Sequence, residues 1–218
     1  MKKIAGAFAT SLFILFLSCQ NDLQAPEDNV TSTIFHAGVG EPIPVSTATR
    51  WIEQYDKQLE GSRNAQTYVV TKPNLEAIMQ STADLIGFTF HHALDHLGEH
   101  HILIIPIDNT LSLWTSSSQR IALDANTNTE IDIDVAHDWT DRYAAANPGG
   151  IRYHFFGADI FSQIVQSPEF RIEEAINDEQ VPQLLLIVPG GSESSGTGRI
   201  NSEDEVYDAS VRCPTHCV

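Results

Sequence analysis

Basic residues are scarce in this chain of 218 residues. Twelve Lys and Arg stand against 29 Asp and Glu, a formal net charge of −17. A field of that sign repels phosphate backbones and anionic head groups, so nucleic acid is excluded as a partner; cations, proteins and neutral small molecules fit better. Cysteine is also sparse, at three, which rules out a disulfide-dense scaffold. The one long apolar run, Ile4 to Leu17, is too short and wrongly flanked for a transmembrane span. Common signatures of catalysis are missing too. Pro189-Gly190-Gly191-Ser192 has neither the G-x-S-x-G elbow nor the Lys of a phosphate-binding loop, and no H-E-x-x-H occurs. An enzyme is therefore not the first expectation.

The apolar run reads as export chemistry. Lys2 and Lys3 precede it, and Phe16-Leu17-Ser18-Cys19 closes it before polar sequence begins. Residues 1–18 are expected to be a signal peptide, with Cys19 as the lipidated first residue of the mature chain, although Phe16 stands where a lipobox usually has Leu. Membrane contact would then run through the lipid anchor only. Gln20 rather than Asp follows the Cys, which points to the outer membrane of the cell envelope. With Cys19 acylated, Cys213 and Cys217 remain, and in an exported chain a disulfide is the first expectation. The alternative is a redox or metal-binding Cys-x3-Cys with His216.

Internal similarity organises the rest. Residues 43–51 (IPVSTATRW) align with 131–139 (IDIDVAHDW) at an offset of 88, and Tyr55 then meets Tyr143. Ser46 and Asp134 are candidate N-caps, and Ala, Trp and Tyr at i, i+3 and i+7 share one helix face. Short matches continue in the same order as far as Leu103-Ile104-Ile105-Pro106 against Leu186-Ile187-Val188-Pro189. Period and punctuation predict helices at 47–59 and 135–146, strands at 67–71 and 152–156, helices at 73–81 and 158–166, then hairpins 87–94 with 101–107 and 170–176 with 183–188. The fold class expected is α+β: two tandem αβαββ-like repeats, 43–107 and 131–189, packed as one pseudo-twofold body. Residues 19–42 read as a tether, 108–130 as a linker, and 190–218 as a flexible acidic tail carrying the Cys pair.

The densest chemistry is His91-His92-Ala93-Leu94-Asp95-His96-Leu97-Gly98-Glu99-His100-His101, which holds five of the nine histidines. Neutral imidazole is a favoured ligand of zinc, copper and nickel. His91 and His101 are placed to face each other across a hairpin, with His96 or His100 reaching in from the turn. The bland alternative is a polar hairpin that is merely rich in His. In the alignment His91 and His92 correspond to Glu173 and Glu174, so a pseudo-twofold would bring a His pair near a Glu pair. Because His92 and Glu174 fall on the face of Phe88, Phe90, Phe170 and Ile172, a bulge or an edge position is expected there. Asp124 to Asp132 is similar to a calcium loop, but Thr129 and Val135 replace the Gly and Glu it requires, so a solvated linker is expected. Trp51, Tyr55, Trp139 and Tyr143 are candidates for a ligand groove or for core.

The unit I-x-[I/V]-[S/D]-x-A-x-x-W-x-x-x-Y, with G-I-R-Y-H-F-F-G-A-D-I-F, the L-L-L-I-V run and the C-terminal cysteine ending, resembles small lipoproteins of Gram-negative bacteria, notably Bacteroidota. That resemblance implies compartment and architecture, not an activity. The expectation is a lipid-anchored envelope protein acting as a binding or structural module. The competing class is a metal-binding protein or metal-dependent hydrolase, with zinc the cofactor, built on His91, His92, His96, His100, His101, Glu173 and Glu174. A third is an inhibitor or immunity-type partner that uses its negative charge against a basic protein.

Overall fold

The computed structural model describes residues 35–59, 66–111, 113–114, 121–190, 200–208 and 211–213. In chain order the elements are β1 (Glu41–Ile43), α1 (Val45–Leu59), β2 (Tyr68–Thr71), α2 (Lys72–Gln80), β3 (Leu85–Leu94), β4 (His100–Asp108), β5 (Ile121–Asp124), β6 (Thr129–Asp132), α3 (Ile133–Ala146), β7 (Tyr153–Gly157), α4 (Ala158–Ile164), β8 (Glu169–Ile176), β9 (Pro182–Val188), β10 (Glu205–Asp208) and β11 (Val211–Cys213). The order α-β-α-β-β thus occurs in 45–108, followed by β5 and β6, and again in 133–188. No helix among the described residues is long and apolar enough to cross a membrane.

Two antiparallel sheets result, ordered β1-β10-β9-β8-β2 and β11-β7-β3-β4-β5-β6. The halves exchange strands. β2 pairs with β8, Tyr68 opposite Ile172, while β7 pairs with β3, His154 opposite Phe90. Neither half can complete its sheet alone, so the body is α+β and built jointly. The largest core cluster takes in residues of both sheets, including Phe88, Phe90, Phe156, Phe170, Ile172, Leu184 and Leu186, together with Ile78 of α2 and Phe161 of α4. Burial of each such side chain stabilises the fold by roughly 1.5–3 kcal/mol, so this cluster outweighs any single polar contact. The opposite faces carry the longer helices. α1 lays Ala48 and Trp51 on Leu185 and Ile187, and α3 lays Ile133 and Ala136 among residues such as Leu103 and Phe155. Fully buried Ala at both crossings lets the helices approach the sheets closely.

Local signals explain the boundaries. Pro73 sits in the first turn of α2, where its missing N–H costs nothing. The cap of α3 is Asp132, whose carboxylate accepts from the Asp134 amide, and not Asp134 itself. α1 starts at Val45, one residue before Ser46, with the Pro44 carbonyl accepting from Thr47 and Ala48. At Gly157 a Cβ would lie 2.1 Å from the Ala37 carbonyl oxygen, and only glycine lets the 36–39 segment lie against β7.

Three segments depart from the sequence expectation. Residues 121–132 form β5 and β6, because Leu123 and Ala122 are apolar enough to extend the sheet past β4. Residues 35–43 carry buried Phe35 and Val39 and then β1. Residues 205–208 are an inner strand between β1 and β9 with Val206 and Tyr207 buried, held by Asp204, whose carboxylate meets Arg171 2.8 Å away. Leu111, at φ 58°, and the buried Leu113 belong to the connection after β4.

Candidate metal centre

Strand pleat decides which histidines can meet. Along the β3–β4 hairpin His92 lies opposite Ile102 and Leu94 opposite His100, so His92 and His100 point inward with Phe90 and Ile104. His91 and His101 point to the other face. The pairing is regular from Gly87 to Leu94, and the one irregularity falls between Leu85 and Gly87. The bulge expected at His92 does not occur, and β3 is central rather than an edge. Polar side chains at that level meet one another instead of apolar neighbours, which removes the penalty that would have demanded a bulge.

Three of the sequence candidates converge. Nδ1 of His92 lies 3.0 Å from Nε2 of His100, and the Glu174 carboxylate, inward on β8, completes a set whose ligand atoms all lie within 4.8 Å of one another. Donors held at about 2.0–2.1 Å around a tetrahedral zinc are about 3.3 Å apart, so the His–His spacing is nearly that of two ligands on one ion. The group is supported from several elements. The Tyr68 hydroxyl is 3.3 Å from Nδ1 of His100, the Tyr143 ring stacks on His92 at 5.2 Å, and His154 meets His92 edge-on at 6.1 Å. Burial holds the His92 pKa well below its ordinary value, and His154, His100 and His91 push the same way; the ring is therefore neutral, the form that binds metal. His100 and Glu174 open onto a cleft of about 460 Å³ between the hairpin tip and the end of α1, bordered by Tyr55, Tyr68, Glu99 and Asn126.

The other candidates lie elsewhere. His91 points to the opposite face, its Nε2 3.1 Å from the Thr89 hydroxyl, with Tyr153 and Trp114 beside its ring. Burial pushes its pKa down to about 3, helped by Arg152, His137 and His154. His91 therefore does not join His101 in a site, although the two share a face. Glu173 faces away from Glu174 and accepts from the Thr67 hydroxyl at 2.7 Å. Burial raises its pKa to about 7; the Thr67 bond and Arg171 oppose the rise, and Asp56 and Glu174 add to it. His96 is exposed at the turn. His101 lies under Trp139, with Nδ1 3.1 Å from both carboxylate oxygens of Asp124. The residues similar to a calcium loop, expected to be a solvated linker, instead form a β-hairpin whose first Asp serves a histidine. The aromatic candidates form no common groove: Trp51 packs on one sheet and Trp139 on the other, while Tyr55 lines the cleft. Cys19 and Cys217 lie outside the described residues, and Cys213 is the last residue of β11.

Residue spacing alone does not find Tyr68, Tyr143, His154 or Asp124 as members of these clusters. Each comes from an element distant in sequence from the His-rich hairpin, and the patterns that hold Tyr143, His154 and Asp124 do not point to these clusters. No protein-family model matches the chain, and no curated protein or solved structure matches it either.

Proposed function

We propose that this is a lipid-anchored protein of the cell envelope that binds a divalent transition metal, zinc first, through His92, His100 and Glu174. The observation that carries the reading is the convergence of two imidazoles and a carboxylate from both sheets at the inner end of an open cleft. Two nitrogens and one oxygen suit zinc, copper or nickel better than calcium or magnesium. Three protein donors leave a coordination position for water or a small ligand entering from the cleft. The anchor rests on the basic–apolar–Cys19 pattern at the N-terminus, and the acidic surface favours a cationic guest.

The test is elemental analysis of the untagged full-length chain, stripped with chelator and dialysed against zinc, copper and nickel. Wild type should retain zinc, and His92→Gln or Glu174→Gln should each remove one ion per chain. Stoichiometry unchanged in both variants would overturn the assignment. The anchor is tested apart: Cys19→Ser should move the protein from the membrane fraction to the soluble one, and a variant that stays with the membrane would refute lipidation at Cys19.

A further inference from the structure

The outward face of the same hairpin carries a second cluster that shares none of the three ligands of the inner site, although its Glu99 borders the cleft. His101 is 7 % exposed, and among the described residues its Nε2 is a buried nitrogen with no hydrogen-bond partner. A buried polar atom left without a partner calls for a reason. It faces carboxylates. Oδ2 of Asp95 lies 3.9 Å away, and ligand atoms of Asp95, Glu99 and His101 all fall within 4.8 Å of one another. A separation of 3.9 Å is too long for a hydrogen bond. It lies within the span that one ion, about 2.0–2.2 Å from each donor, can bridge.

The surroundings prepare both donors. Asp124 accepts at Nδ1 of His101, which places the ring proton there and leaves the Nε2 lone pair free. Asp124 is itself held by the Asn126 amide at 3.0 Å and the Thr127 hydroxyl at 2.8 Å. A carboxylate behind a ligating histidine is the recurring support of metal sites. Asp95 spends Oδ1 on the amides of Leu97 and Glu99, each 2.8 Å away, so Oδ2 is the oxygen left toward His101. Nδ1 of the exposed His96 is 4.0 Å from that same oxygen and can supply a fourth donor by rotating.

We propose that His101 Nε2, Asp95 Oδ2 and the Glu99 carboxylate form a second, independent divalent-metal site that takes zinc, with Asp124 as its positioning residue. A rival account makes His101 an imidazolium between two aspartates. It would draw Nε2–H onto Asp95 at hydrogen-bond distance, which 3.9 Å is not.

Trp139, whose ring centroid is 4.8 Å from that of His101, provides a readout. The chelator-stripped full-length chain, untagged, would be dialysed against zinc and titrated with nickel while its fluorescence is followed. Two zinc ions per chain are expected, with one lost in His101→Gln and one in Glu99→Gln. Nickel should quench a Trp139 signal that disappears in Trp139→Phe and is spared in Glu99→Gln. Glu99 is exposed, so that variant tests the site without touching the core. Asp124→Asn should keep the stoichiometry and weaken affinity about 10–100-fold. Quenching and zinc content unchanged in both Glu99→Gln and His101→Gln would overturn the proposal. Loss of one ion in those variants but none in His92→Gln or Glu174→Gln would remove the inner site and leave this one standing.

Discussion

Asp204→Ala should destabilise the protein by about 3–5 kcal/mol, the cost of removing one member of a buried ion pair. Arg171 is 5 % exposed and Asp204 7 %, with Nη2 and Oδ2 2.8 Å apart. The carboxylate does more than neutralise the guanidinium. Its Oδ1 accepts from the Gly190 amide and its Oδ2 from the Asn201 amide. One side chain thereby ties the end of β9 to the start of β10. Truncation takes the carboxylate away from a buried cation on β8 and frees two amides at the same point, and β10, with β1 beyond it, loses its anchor. Asp204→Asn should lie between wild type and Ala, since it can still accept from an amide but cannot balance the charge. Arg171→Met combined with Asp204→Leu should recover only the charge part of the loss: replacing both charges by apolar groups removes the desolvation cost along with the attraction, while the Gly190 and Asn201 amides still lose their acceptor. Urea unfolding of the three variants checks this. A loss under about 1 kcal/mol for Asp204→Ala would mean that water reaches the pair and screens it.

That ion pair also shows where sequence reading stops. Residues 200–208 are short, polar and acidic, and composition makes them a tail; a buried Arg partner 33 positions away leaves no local trace. The same holds for Asp124, 23 positions from His101, in a run of Asn, Asp and Thr that turn chemistry explains equally well. Longer elements were legible because their periodicity is strong. The Ala48-Trp51-Tyr55 and Ala136-Trp139-Tyr143 faces, the F-T-F and F-R-I alternations and the L-L-L-I-V run place the main helices and hairpins within about two residues of their observed ends. Pairing was not legible. Nothing local says that β2 joins β8 and β7 joins β3, yet that exchange is what carries Glu174 to His92. Aligning His91-His92 with Glu173-Glu174 sets side by side two pairs of which one member each, His92 and Glu174, lie near one another in the fold. Which member of each pair turns inward is a matter of register, and a shift of one residue would have chosen His91 and Glu173 instead.

Two substitutions on these neighbouring positions should move the pH dependence of stability in opposite directions. His91 has a folded pKa near 3 against an ordinary 6.5. An unfolded chain takes up a proton there below pH 6.5 that the folded chain refuses until about pH 3. Its stabilising contribution is therefore complete above pH 6.5 and is lost as pH falls through that window, at about 1.4 kcal/mol per pH unit and about 5 kcal/mol in all. His92 is shifted in the same direction. Glu173 has the reverse sign. Its folded pKa near 7 stands above an ordinary 4.5, so its contribution is complete below pH 4.5 and is lost as pH rises to about 7, roughly 3 kcal/mol across the window. Wild type should thus be only mildly destabilised between pH 7.5 and pH 5, since one carboxyl offsets much of what the two histidines lose. His91→Gln keeps a polar group for Thr89 but cannot be protonated, and it should flatten or reverse that fall by about 2 kcal/mol. Glu173→Gln should be more stable than wild type at pH 7.5 and should fall more steeply on acidification. Urea midpoints at the two pH values, in chelator so that metal release adds no protons of its own, give the order of acid sensitivity: Glu173→Gln greatest, wild type between, His91→Gln least. Equal slopes for all three would show that water reaches both groups in the folded state.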